Sequence, residues 1–311
     1  MKLHGVIDLH VNGERLMRNP NFWDKVTKAF GGQPKLETDR MRASLEASAV
    51  VEAARAALRK LGITNAVSLV IDDQVLFQDR DGKPDDLIDL FLAWSEHASV
   101  FGGEFRMLRL AAEHEEAGLR YVLEIIARPE HPADEPAARV VVSARVAAFE
   151  PRSGESPDDY RARVEPLTKD AAGYEIYKHQ FESFVERVAD ALRGSMPEAR
   201  VEVREAEALV QRPPRQEVER QAEIPPTDPR YDPYDRYYPN PMGFLLGAMV
   251  WSSIFSMGMH VPVTIINEHG HSLGSAADVS PDTADAGDGW DGGGDDMGGG
   301  DDMGGDFGGF D

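Results

Sequence analysis

The 311-residue chain contains no cysteine. That excludes a disulfide framework, a thiolate zinc site and a cysteine nucleophile. Basic residues are also few: 33 Lys and Arg stand against 55 Asp and Glu, for a net charge of −22. Nucleic-acid binding needs clustered cations that displace counterions from phosphate. No such cluster occurs, so no nucleic-acid partner is expected. The first fourteen residues hold no apolar run of the kind a secretory signal requires, and a cytoplasmic location is expected, with membrane association as the alternative. Long uncharged runs are scarce as well, with one exception. Residues 237–267, between Arg236 and Glu268, carry no acidic or basic side chain.

That run organises the rest of the chain. Before it, the pattern is that of a folded domain. Residues 3–11 alternate Ile7, Leu9 and Val11 against His4, Asp8 and His10, as a half-buried strand does. Asn12-Gly13 predicts a hairpin returning through residues 14–17. Pro20 opens a short helix with Phe22, Trp23, Val26 and Phe30 on one stripe. Thr38 or Asp39 caps a second helix that reaches Leu61. Strands are expected over 65–71 and 75–78, and a helix over 85–98. Three long strands follow, over 105–112, 119–128 and 139–149, joined by turn-rich segments that favour an antiparallel meander. Tyr177, Phe181, Phe184, Val185, Val188 and Leu192 mark an amphipathic helix over 171–193, and a short strand follows at 200–204.

The composition then changes. Residues 213–241 hold eight prolines and four tyrosines, which reads as a semi-rigid linker. Residues 261–267 alternate as one strand of a hairpin turned at Glu268-His269-Gly270. Beyond Ser275 the chain is mostly Asp and Gly, too poor in apolar surface to offset ordering entropy. Residues 268–311 contain twelve acidic residues and no Lys or Arg. The predicted class is α+β: a mainly antiparallel sheet with packed amphipathic helices over 1–210. A Pro/Tyr-rich linker follows over 211–241, an apolar helix and short strand over 242–267, and a disordered acidic Gly-rich tail over 268–311.

Catalytic patterns are sparse. Gly270-His271-Ser272-Leu273-Gly274 resembles the nucleophile elbow of α/β-hydrolases, which requires a strand, a sharp turn, a following helix and a histidine after the serine. The last histidine here is His271, before the serine, and an Asp/Gly tail follows. Asp8-Leu9-His10-Val11-Asn12 is similar to the His-x-His opening of metal-dependent amidohydrolases, with Asn12 in place of the second histidine. A solvated polar strand face is the simpler reading. Residues 79–86 place Lys83 where a calcium loop needs an oxygen ligand, so those aspartates read as turn and cap residues. Gly102-Gly103 lacks a P-loop lysine. No catalytic residue, cofactor or metal is therefore expected.

The interaction pattern is more specific. Gly243-x-x-x-Gly247 is a spacing that lets helix backbones approach closely. Trp251 and Phe255 supply large rings in the same segment. Gly243, Gly247, Trp251 and Phe255 are thus the candidate interaction residues. Together these features predict a non-enzymatic interaction or scaffold protein whose partner is another protein, a second copy or a membrane. The alternative is an enzyme with an unrecognised site in residues 1–210.

Overall fold

The computed structural model describes residues 1–12, 14, 16, 38–72, 74–79, 104–211, 224–225, 228, 230–238, 242–256, 258–267 and 269–279. Its centre is one nine-stranded sheet of order β3-β2-β4-β5-β6-β1-β7-β8-β9. The strands are β1 (Lys2–His10), β2 (Asn65–Ile71), β3 (Gln74–Gln78), β4 (Leu108–Glu116), β5 (Leu119–Ala127), β6 (Ala138–Val146), β7 (Arg200–Gln211), β8 (Thr264–Ile266) and β9 (Ser272–Ser275). Every neighbouring pair is antiparallel except β7 and β8, which run parallel. The expected α+β class and the β4-β5-β6 meander are both present.

One face of the sheet is covered by two long helices, α1 (Asp39–Lys60) and α3 (Ala171–Ser195), with α2 (Pro157–Thr168) between β6 and α3 in the chain. Thr38 caps α1 by accepting from the Met41 amide at 3.0 Å. Period-two alternation sends Leu3, Ile7 and Leu9 of β1 and Leu119, Tyr121, Leu123 and Ile125 of β5 to the helix side. There Phe184 stacks on Tyr121 with ring centroids 3.9 Å apart. Gly5 lies close under α3: a Cβ there would lie 3.1 Å from Val185 Cγ2 and 3.2 Å from the Glu205 carbonyl oxygen.

The opposite face departs from the expected solvated one. His4 and Asp8, on the polar side of β1, are 1 % and 6 % exposed, and Glu124 of β5 is fully buried. β1 is a central strand, between β6 and β7, and the sheet is covered on both sides. β7 also runs seven residues past the expected 204, because β1 pairs along its length and β8 adds at its end. Part of the proline-rich stretch, residues 230–238, lies on this second face and includes the one-turn helix α4 (Pro233–Tyr237). The hairpin expected at the end of the apolar run is present as β8 and β9, with Gly270 at φ 83° in the turn. Residues 269–279, expected to begin the disordered tail, are instead held by this hairpin, because β9 pairs with the buried β8. The return strand expected over 14–17 is not formed at its described residues, since Glu14 and Leu16 are helical. The helices expected at 20–30 and 85–98, residues 15 and 17, Gly102-Gly103, and the tail from residue 280 lie outside the described residues.

Candidate interaction site

The uncharged run forms α5 (Gly243–Ser256), 14 residues without a proline or a charge. At a rise of 1.5 Å per residue it is about 21 Å long, short of the roughly 30 Å of a bilayer core. Among the described residues no helix is long and apolar enough to cross a membrane. The helix ends where the Met259 amide donates to the Ile254 carbonyl at 2.9 Å and Gly258 takes φ 59°. That left-handed conformation suits glycine, and it ends the helix before Pro262.

α5 is docked by one side. Val250, Ser253 and Ile254 are 0 %, 4 % and 2 % exposed, against α2 and β7. The Ser253 and Thr168 hydroxyls lie 2.9 Å apart in that contact, and the Tyr174 hydroxyl donates to the Thr168 carbonyl at 3.0 Å. The opposite side carries Ser252 and Ser256, both exposed, with hydroxyls 3.4 Å apart. Gly243, Gly247, Trp251 and Phe255 fall at every fourth position and form a ridge along the flank of the docked side. A Cβ at Gly243 or Gly247 would meet nothing within 4 Å. The Trp251 and Phe255 rings are in contact, 4.4 Å between centroids, and both are half-buried. The glycine end of the ridge borders a cavity of about 180 Å³ whose walls include Met1, Arg145, Asp232, Leu246 and Val250.

Beneath and beside that cavity, residues 230–238 strap the second sheet face. Asp232 accepts from the Tyr234 amide at 3.0 Å and Pro233 takes the first helical position, so α4 starts with its missing N–H at no cost. Four phenols then reach the sheet. Tyr231 and Tyr237 donate to the two oxygens of Glu124, at 2.6 and 2.9 Å. Tyr238 donates to Glu113 at 2.5 Å, and Tyr234 donates to the Arg120 carbonyl. Arg109 pairs with Glu124 at 3.7 Å with both side chains buried. Arg145 pairs with Asp232 at 2.7 Å and lies 4.4 Å from the centre of the Tyr234 ring. Burial, reinforced by the Glu124 charge, raises the Tyr231 and Tyr237 phenols well above the ordinary tyrosine range.

The residues of the catalytic patterns lie apart. Ser272 begins the edge strand β9 and its hydroxyl accepts from the Gly274 amide at 3.3 Å; a strand follows it, where a nucleophile elbow has a helix. Asp8 is paired with Arg139 at 3.0 Å, and His10 lies 3.7 Å from Glu202. Among the described residues no three His, Asp or Glu side chains converge as metal ligands. Compared with protein-family models, curated proteins and solved structures, the chain matches none. What the site can do follows from its geometry.

The tyrosine network was not anticipated from the sequence, although β5 carries a signal for it. Val122 and Ile126 flank Glu124 on the side away from the helices. An apolar pair on that side means that both faces of the strand are covered, and a carboxylate between them then needs buried donors.

Proposed function

We propose that this chain is a non-enzymatic interaction protein that associates with a second copy of itself through α5. The observation that carries this reading is the composition of one ridge: two glycines with open space above them, then two large rings, at a constant four-residue step. A two-fold axis crossing α5 between Gly247 and Trp251 sets Gly247 opposite the second copy's Trp251, and Gly243 opposite its Phe255. Ridges at four-residue spacing interdigitate at a crossing angle near −50°. The ridge is then complementary to itself, as a two-fold interface has to be. α5 carries no charge, so the net charge of −22 is kept away from the contact.

Sedimentation equilibrium tests this. The wild-type chain is expected to self-associate, the double variant Gly243→Leu/Gly247→Leu to lose most of that association, and Ser252→Leu, on the exposed side, to keep it. Unchanged association in the glycine variant, with the circular dichroism of the domain intact, would rule out the ridge as the contact.

The alternative, an enzyme with its site in residues 1–210, draws support from a cavity of about 730 Å³ lined by Arg40, Asp72, Glu104, Arg106, Arg128 and Glu130. Several of those groups are already engaged. Arg40 bridges Glu104 at 3.6 Å and Glu130 at 3.1 Å, and Asp72 accepts from the Arg106 and Met107 amides.

A further inference from the structure

Native proteins satisfy nearly all of their buried polar groups, so a cluster of unsatisfied ones calls for a physical reason. Among the described residues six buried side-chain atoms have no hydrogen-bond partner: both ring nitrogens of His4, Ser143 Oγ, Arg109 Nε, Asn65 Oδ1 and Gln180 Oε1. All but the last belong to the strapped face of the sheet. His4 and Ser143 are directly opposed across β1 and β6, and each is 1 % exposed. The side of the sheet packed under α1 and α3 has no such cluster among the described residues. Unsatisfied groups gain hydrogen bonds with water when their cover lifts, which lowers the free energy of an opened state.

We propose that residues 230–238 form a releasable strap over this face, and that protonation of His4 drives the release. The groups around His4 are Lys2 on its own strand, Ser143 and Arg145 on β6, Glu207 opposite it on β7, and Asp228 and Asp232 from the segment above. The strap is fixed over them by the Arg145–Asp232 pair and by a bond from Lys2 Nζ to the Tyr231 carbonyl.

The direction of the pH effect follows from burial. Desolvation, assisted by the Lys2 charge and opposed by Asp232 and Asp228, lowers His4 from 6.5 to about 3. With the strap open, His4 meets water and returns to the ordinary histidine range. The open state therefore binds one more proton between pH 6.5 and pH 3. The His4 contribution to closed-state stability is present above pH 6.5 and falls as pH drops through that window, by up to tenfold in the opening constant per pH unit. The Met1 amine, lowered from 8.0 to about 5 by desolvation and by Arg145 against the opposing Asp232, adds a second proton uptake on opening between pH 8 and pH 5. Asp228, bonded to Arg230, is held below the ordinary aspartate value. Burial pulls Asp232 upward, yet Arg145 and Lys2 hold it low as well. Both stay charged in the upper part of the window.

Hydrogen exchange of the full chain, corrected for intrinsic rates, tests the proposal between pH 7 and pH 4.5. Through His4, residues 230–238 should open about 50-fold more often at pH 4.5 than at pH 6.5, while α1 stays protected. His4→Leu should remove that His4 part of the slope. Tyr231→Phe, which loosens the strap but keeps His4, should raise opening at every pH and retain the slope. A pH-independent wild-type strap would overturn the proposal, as would an unchanged slope in His4→Leu. Opening of the strap only together with α1 would also overturn it, since acid would then act on the whole fold.

Discussion

Tyr231 stands 107 positions from Glu124 in the chain and donates a 2.6 Å hydrogen bond to it across a buried face of the sheet. Glu124 also accepts from Tyr237 and faces Arg109, so one carboxylate gathers two phenols and a guanidinium away from water. Removing a hydrogen bond to a buried charge costs about 1.5–3 kcal/mol. Tyr231→Phe is expected to lower stability by about that amount in urea unfolding.

The same phenols set an alkaline limit. Their raised values mean that the folded state holds protons that the unfolded state releases first. Their contribution is complete below the ordinary tyrosine value of 10.0 and is lost as pH rises beyond it. Unfolding followed from pH 8 to pH 11 should show stability falling above about pH 10, and a Tyr231→Phe/Tyr237→Phe variant should show a shallower fall.

Arg109 and Glu124 are expected to behave as a pair rather than as two residues. Glu124→Ala leaves a buried guanidinium uncompensated and should cost about 3–5 kcal/mol. The double change Glu124→Leu/Arg109→Met removes both charges and should recover most of that loss. A double change that is as damaging as the sum of the two single changes would show that the pair is not coupled.

Gly5 tests the packing of α3 on β1. A side chain there meets Val185 and the Glu205 backbone at 3.1–3.2 Å, and only Val185 can move aside cheaply. Gly5→Val should destabilise the protein by about 1–3 kcal/mol in thermal or urea unfolding. Gly194→Val, where an added Cβ meets nothing within 4 Å, should show no clash of this kind.

Strands β1 to β7 and helices α1 to α3 all lie before residue 212. A chain cut after Gln211 is expected to keep a cooperative unfolding transition, with lower stability because Glu124, Arg109 and Val250's docking site lose their cover. A product with no cooperative transition would place the strap and α5 within the core itself.

Local pattern carried much of the architecture. Alternation in residues 119–128 and the aromatic stripe from Tyr177 to Leu192 produced β5 and α3 nearly to the residue, because each follows from which side chains must leave water. The hairpin at residues 264–275 was readable from VPVTIIN and the Glu-His-Gly turn for the same reason. Gly243, Gly247, Trp251 and Phe255 were legible as features of one segment, and their shared ridge follows from helical spacing alone.

What no window of sequence contained was the second cover of the sheet. The eight prolines of residues 213–241 describe a segment that forms no long helix or central strand, and they say nothing about where it rests. Only the fold decides that, by bringing Tyr231 and Tyr237 to a carboxylate more than a hundred positions away. The burial of His4 has the same origin: alternation put it on the polar face of a strand, and a distant segment then closed over that face. Sequence determines which groups each element can offer to a neighbour. Which neighbour arrives, and whether it brings a hydrogen bond or leaves a histidine without one, is settled by long-range packing.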